Sequence, residues 1–169
     1  DGSKTAVLNG TATFNGIFGA DSLSVAGSGE FSDKNAGNGK TVTVSGITLG
    51  GADAGNYILG SDISSGTASI GKANLGSVSN VGVNNKVYDS LTDATLTGTA
   101  TFDGIIGSDS LTVAGTGAFG DKNAGNGKAV SVSGITLGGA DAGNYNLASD
   151  VSSGTANIAK ASISSVSNV

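Results

Sequence analysis

Apolar and polar residues alternate along most of the chain, and this alternation predicts strands. In the first stretch the apolar residues share the even phase, with polar residues between them: Ala6, Leu8, Ala12 and Phe14. A period of two gives a strand one buried face and one solvated face. Similar runs recur between clusters of Gly, Asn, Asp and Ser, without an amphipathic helical pattern. The pattern therefore predicts an all-β protein built from short strands.

Two glycines mark a change of phase inside alternating runs. Between residues 40 and 49 the apolar side chains move from even to odd positions at Gly46, and the same change recurs at Gly134. One extra residue in a strand moves every later side chain to the other face of the sheet. Gly46 and Gly134 are therefore predicted to lie at β-bulges.

The chain is a tandem repeat. Tyr57 matches Tyr145, a separation of 145 − 57 = 88 residues, and residues 1–81 aligned without a gap to 89–169 are identical at 58 of 81 positions. Solenoid coils repeat every ~20–45 residues, so this longer period suits a small domain. The sequence predicts two domains, 1–81 and 82–169, with a boundary placed to within about ten residues. Spacing alone leaves open whether residues 73–81 close the first domain or open the second.

The most informative short motif occurs once in each repeat. GITLGGADAGNY spans residues 46–57 and returns letter for letter at 134–145. Its DxGxY end resembles the tyrosine corner of immunoglobulin-like domains, in which a tyrosine hydroxyl bonds to the backbone upstream. The candidate corner residues are Asp53, Gly55 and Tyr57 in the first repeat and Asp141, Gly143 and Tyr145 in the second.

The density of strands and turns indicates a fold class. About seven short strands per repeat, with turn residues every ~8–12 positions, favour a sandwich. The predicted fold is therefore all-β, with two tandem immunoglobulin-like antiparallel β-sandwich repeats. A parallel β-helix is the alternative, because glycine-rich alternating sequence suits that fold as well.

Composition narrows the classes of function. The chain has no Cys and no His, so neither a Cys/His zinc site nor a His-containing nucleophilic triad can form. A net charge of −5 without any Arg argues against nucleic acid and anionic membranes. No apolar run reaches the ~18 residues of a membrane-spanning helix. The protein is therefore predicted not to be an enzyme, to bind no nucleic acid and to insert into no membrane.

Calcium is the cofactor that needs a closer test. The sequence from Asp33 begins like an EF-hand loop, but its fifth position is Gly37 and its twelfth is Val44, where a bidentate Glu belongs. The prediction is therefore no metal and no other cofactor. Calcium held by aspartates at a domain junction, such as Asp62 and Asp89, stays open as an alternative.

Three separated motifs resemble a known repeat family. They are KVYD at 86–89, GTATFDGIIGSDSLTVAGTGAFGDKNAGNGK at 98–128 and GADAGNY at 139–145. In this order they are similar to the YDG-type repeat found in tandem in large bacterial haemagglutinin-like adhesins. The second copy has Tyr88, Asp89 and Ser90 where the family pattern has Tyr-Asp-Gly, and the first copy begins at Asp1 and Gly2 without the tyrosine.

The resemblance implies a secreted or cell-surface bacterial exoprotein and no catalytic residues. The expected function is a structural extender for cell adhesion and biofilm formation, in which neighbouring repeats of the same chain stack into a stiff rod. Such a rod would present a separate binding domain, and host or matrix glycans would be bound through other domains. The expected location is extracellular or on the bacterial surface. The alternative is a lectin-like module that binds glycan itself.

Overall fold

The regular structure of the described residues is β-sheet, apart from two short 3-10 turns. The computed structural model describes residues 1–9 and 11–167 and divides the chain into two units, Asp1–Gly71 and Lys72–Val169. We call them the N-terminal and C-terminal units. The observed boundary is 71/72, ten residues before the predicted 81/82 (81 − 71 = 10), so residues 73–81 open the second unit. Residues 168 and 169 of the predicted second domain lie outside the described residues.

The N-terminal unit consists of one sheet in which every pair is antiparallel. The strand order is β1-β2-β3-β4. The strands are β1 (Thr5–Ala6), β2 (Ser24–Phe31), β3 (Gly37–Gly50) and β4 (Ser64–Ile70), with a 3-10 turn at Ala54–Asn56. The alternating run from Ala6 to Phe14 predicted a longer first strand, but only its beginning pairs with β2.

The C-terminal unit repeats that sheet and adds strands to it. Its strands are β5 (Ala73–Leu75), β6 (Val78–Ser79), β7 (Lys86–Val87), β8 (Asp93–Ala94), β9 (Thr101–Phe102), β10 (Thr112–Phe119), β11 (Gly125–Gly138), β12 (Tyr145–Leu147) and β13 (Ser152–Ala159), with a 3-10 turn at Ala142–Asn144. The main sheet has the order β7-β13-β11-β10-β8, while β12 pairs with β5 and β6 pairs with β9. The pairs β12–β5 and β13–β7 are parallel, which corrects the prediction of purely antiparallel sheets.

Each long hairpin contains a bulge where the apolar phase changes. In the N-terminal unit Ala26 pairs with Thr48 and Ser28 pairs with Ser45, so two residues of β3 oppose one residue of β2. Gly46 is one of those two, with φ of 61°, and Gly134 has φ of 62° at the same place in β11. Glycine adopts this left-handed conformation without the clash that a Cβ would cause. Bulges bend and twist a strand, and the sheets of this protein include a curled half-barrel.

The core of the C-terminal unit depends on residues Lys72–Tyr88, which we call the opening segment. It contributes Leu75, Val78 and Val81, all buried. Val78 and Val81 belong to the main cluster of buried side chains, and the half-buried Val83 packs against it. Lys86 places its Nζ 5.8 Å from the centre of the Phe119 ring. The opening segment therefore supplies side chains to a core that the main sheet alone would leave uncovered.

Apolar side chains of the N-terminal unit are more exposed than their counterparts in the C-terminal unit. Val25 is 40% exposed, whereas Val113 at the same place in the second copy is 4% exposed. In the described part of this unit Val42 is the one buried hydrophobic side chain. Tyr57 to Leu59 form no strand, whereas the matching residues Tyr145–Leu147 form β12, which pairs with β5. Two repeats that are identical at 58 of 81 aligned positions therefore differ in burial.

Among the residues described here, the structure contains no helix of the length and apolarity needed to cross a lipid bilayer.

The substitution Leu75→Ala tests the contribution of the opening segment. Leu75 is fully buried, so we expect a loss of about 2–5 kcal/mol from the free energy of unfolding of the C-terminal unit. The matched control is Ile163→Ala at the equivalent position one period later, which is 83% exposed and should change stability by less than about 0.5 kcal/mol. Urea unfolding of both variants measures the difference, and equal effects would contradict the assigned role of the segment.

Candidate functional site

The duplicated tyrosine lies at a hydrogen-bonded corner that ties two distant parts of each unit together. The Tyr145 hydroxyl donates to Asp109 Oδ2 at 2.8 Å and accepts from the backbone N–H of Ile106 at 2.9 Å. The ring is 3% exposed. Because its partners lie 36 and 39 residues upstream, the corner fixes a loop far away in sequence rather than the local turn.

The aspartate of the motif holds the same upstream loop at a second point. Asp141 Oδ2 accepts a hydrogen bond from the backbone N–H of Ser110 at 2.8 Å. The Asp141 backbone N–H donates in turn to the Ser110 carbonyl at 3.3 Å. Asp141 and Tyr145 therefore both hold residues 106–110 in place through hydrogen bonds.

The N-terminal unit builds the same corner with nearly the same distances. Tyr57 donates to Asp21 Oδ2 at 2.7 Å and accepts from the Phe18 N–H at 3.0 Å, while Asp53 Oδ2 accepts from the Ser22 N–H at 2.8 Å. Here the tyrosine is only half-buried. The same sequence motif thus makes the same hydrogen bonds in both units, whereas the burial of the tyrosine differs between the two units.

The glycines of the corner motif occupy positions where a larger residue would fit, unlike the bulge glycines. A Cβ built on Gly55 or Gly143 would meet no atom within 4 Å, and neither residue has a positive φ. Nothing in the structure explains glycine at these two positions. Gly46 and Gly134, by contrast, need their positive φ.

Two groups important to the site were not identified from the sequence. The carboxylates of Asp21 and Asp109 accept hydrogen bonds from the tyrosine hydroxyls. The sequence signal for these two residues is that both occur at the same place in the repeat. The other group is an ion pair across the glycine-rich turn, with Lys40 Nζ 2.6 Å from Asp33 Oδ1 and Lys128 Nζ 2.6 Å from Asp121 Oδ1. The hydrogen bond from lysine is the main cause that lowers the pKa of Asp33 and of Asp121.

The carboxylates considered for calcium do not form a cluster with others. Asp89 Oδ1 lies 2.8 Å from Lys86 Nζ, and this lysine lowers the pKa of the Asp89 carboxyl. Over residues 1–9 and 11–167 the structure shows no group of three or more acidic, His or Cys side chains that could hold a metal ion. The side chains of the corner are instead engaged in hydrogen bonds to backbone and to each other.

The variant Tyr145→Phe tests the strength of the corner. It leaves the Ile106 N–H without its acceptor in a buried site, so we expect the C-terminal unit to lose about 1–3 kcal/mol. Tyr57→Phe should cost less in the N-terminal unit, because water can reach the half-buried corner. The control is Tyr88→Phe, since Tyr88 lies outside the corner and is 37% exposed.

The same variant also predicts a pH dependence, which can be read from the same unfolding curves. Burial is the largest cause and raises the pKa of Tyr145 above its ordinary value; the Ile106 N–H, next in size, opposes this rise, and the Asp109 carboxylate adds to it. A raised pKa favours the neutral hydroxyl in the folded state, so this stability is present below pH ~10 and is lost as pH rises through the folded-state pKa. Tyr145→Phe should flatten that loss, and an unchanged alkaline slope would contradict the assignment.

Comparison with known protein families gives an independent result. The YDG domain matches the chain twice, over residues 1–69 and over residues 71–165. No curated protein and no solved structure is detectably similar to the chain. The second match begins one residue before the C-terminal unit and includes the opening segment. The two matches together cover nearly the whole sequence, and the chain therefore belongs to the YDG domain family.

Proposed function

We propose that the chain is a non-catalytic structural extender of a large secreted or cell-surface bacterial adhesin. In this role the repeats form a stalk that carries a separate binding domain away from the cell, in support of adhesion and biofilm formation. Its partners are neighbouring repeats of the same chain. Contact with host or matrix glycans is made by other domains, and the module uses no cofactor.

The observation that carries this proposal is that the duplicated polar side chains bond within their own units. Tyr145, Asp141 and Lys128 each bond within their own unit and hold a loop or a turn in place, and their counterparts in the N-terminal unit do the same. A catalytic or ligand-binding site needs polar groups directed toward a shared space. Polar side chains that are engaged in bonds within their own unit favour a mechanical role of the module over catalysis or ligand binding.

The connection between the units supports a stalk as well. β4 ends at Ile70 and β5 begins at Ala73, so two residues connect the last strand of one unit to the first strand of the next. Flexible linkers are longer and rich in Gly and Ser. A short connection is what a stiff rod requires.

The finer fold belongs to the same proposal. An immunoglobulin-like sandwich is supported by the long antiparallel hairpins β2–β3 and β10–β11 and by the tyrosine corners. The parallel pairs β12–β5 and β13–β7 are a departure from that topology. A parallel β-helix is less well supported, because the longest strands pair antiparallel.

Small-angle scattering of the 169-residue chain, with and without a calcium chelator, tests the proposal. We expect an elongated particle with a narrow distribution of end-to-end distances, which the chelator leaves unchanged together with the melting temperature. A ligand bound only to the native state would raise that temperature, so a drop on chelation would show that calcium is part of the stalk. A freely bending pair of units would contradict the stiff rod.

A glycan array separates the extender from the lectin-like alternative. The extender should bind no glycan class, whereas specific binding would show that this module recognises a ligand itself. Tyr57→Phe and Tyr88→Phe serve as variants in that case, because loss of binding would locate the contact on an aromatic side chain.

A further inference from the structure

Four asparagines of the chain are followed directly by glycine, at 9–10, 15–16, 38–39 and 126–127. An Asn-Gly pair is chemically reactive, because glycine has no Cβ to hinder attack of its backbone nitrogen on the preceding side-chain amide. The pairs at 38–39 and 126–127 lie at the same place in the repeat. One reactive dipeptide therefore occurs in two settings within the same molecule.

Both of these pairs lie in a bulge near the start of a long strand. The register of β3 against β4 shifts there, so that residues 38–39 together oppose Ser69. The register of β11 against β13 shifts in the same way, and residues 126–127 oppose Asn157. Both asparagines are exposed to solvent, and the two glycines have φ of 61° and 59°. The backbone of the two sites is therefore alike.

The two sites differ in the partner of the glycine N–H. The Gly127 N–H donates to Asn157 Oδ1 at 2.7 Å, whereas the Gly39 N–H donates to Ser69 Oγ at 3.3 Å. An N–H···O distance beyond about 3.2 Å marks a weak hydrogen bond. Ser69 is also exposed, so its hydroxyl can turn to water instead. The nitrogen of Gly127 is therefore held more firmly than the nitrogen of Gly39.

We propose that Asn38 is a site of spontaneous deamidation and that its counterpart Asn126 is protected by the side chain of Asn157. The backbone nitrogen of the glycine is the nucleophile of this reaction, and it must give up its proton and turn toward the asparagine side chain. A short hydrogen bond from the Gly127 N–H opposes both steps. The long bond from the Gly39 N–H opposes them less.

The reaction needs no reactant other than water. The Gly39 nitrogen loses its proton and forms a bond to Asn38 Cγ, while the bond from Cγ to the side-chain nitrogen breaks and that nitrogen takes up a proton and leaves as ammonia. Water then opens the cyclic imide. Addition of water at Cγ gives aspartate, and addition at the backbone carbonyl carbon gives isoaspartate, in which the main chain passes through Cβ. Either product carries one negative charge more than asparagine.

This inference goes beyond the extender function and does not depend on it. The reaction changes one unit and leaves the other as it was made. Isoaspartate also adds one main-chain atom to the bulge, two residues before Lys40, whose Nζ lies 2.6 Å from Asp33 Oδ1. Older chains therefore differ from newly made ones in charge and in the backbone of this turn.

Mass spectrometry of the folded chain, incubated at neutral pH and then cleaved on the N-terminal side of aspartate, tests the proposal. Cleavage gives peptides 33–52 and 121–140, which differ in sequence and so report on the two sites separately. We expect position 38 to lose its amide roughly threefold to tenfold faster than position 126, the factor that one hydrogen bond of ordinary net strength represents in a rate. Equal rates in the folded chain would overturn the proposal.

The unfolded chain is the matched control. Residues 35–40 and 123–128 have the same sequence, NAGNGK, so the two sites should react at the same rate in concentrated urea, where neither glycine N–H keeps its partner. A difference in rate that survives in urea would overturn Asn157 as its cause.

Exchange of the two partner side chains makes the assignment specific. Ser69→Asn should slow the reaction at Asn38 to the rate of Asn126, and Asn157→Ser should raise the rate at Asn126 to that of Asn38. The control Ser65→Asn places the same side chain at an exposed position of β4 away from the bulge and should leave both rates unchanged. If Asn157→Ser unfolds its unit, the variant at the exposed Ser69 decides alone. Rates that do not follow the exchanged side chain would overturn the proposal.

Discussion

Burial of one face of a small, glycine-rich sheet is the physical constraint on which the structure of this protein depends. The chain has 30 glycines and few aromatic side chains, so each unit has little apolar surface with which to offset the entropy lost on folding. In the C-terminal unit the opening segment lies against that face and buries Val113, Val132 and Ile158. The equivalent side chains of the N-terminal unit are partly exposed. The opening segment therefore completes the core of the C-terminal unit.

Hydrogen bonds contribute to the structure in a different way. The corners at Tyr57 and Tyr145 have nearly the same lengths in both units, although only one of the two tyrosines is buried. Their partners lie 36 and 39 residues upstream in both units, so the same long-range contact forms whether or not the tyrosine is buried. Burial then determines how much each bond contributes to stability, since an unpaired group costs most where water cannot replace the lost partner.

The parts of the structure that could be predicted from the sequence are those that depend on patterns of neighbouring residues along the chain. Alternation predicted an all-β chain, and this is confirmed; the phase change points to the place where Gly46 and Gly134 adopt positive φ. The position of residues 73–81 could not be derived, because strand pairing between positions about 72 residues apart leaves no local signal. The parallel pairing of β5 with β12 and the tyrosine partners Asp21 and Asp109 were missed for the same reason.

Hydrogen exchange of the intact chain at low protein concentration is the decisive measurement, because the two repeats serve as controls for each other. We expect amides of the hairpin β10–β11 to exchange at least about tenfold more slowly than equivalent amides of β2–β3, since only the former lies in a unit whose core is covered. Leu75→Asp should remove most of that difference. Equal protection of the two hairpins in the unaltered chain would contradict the claim that the opening segment determines the stability of a unit.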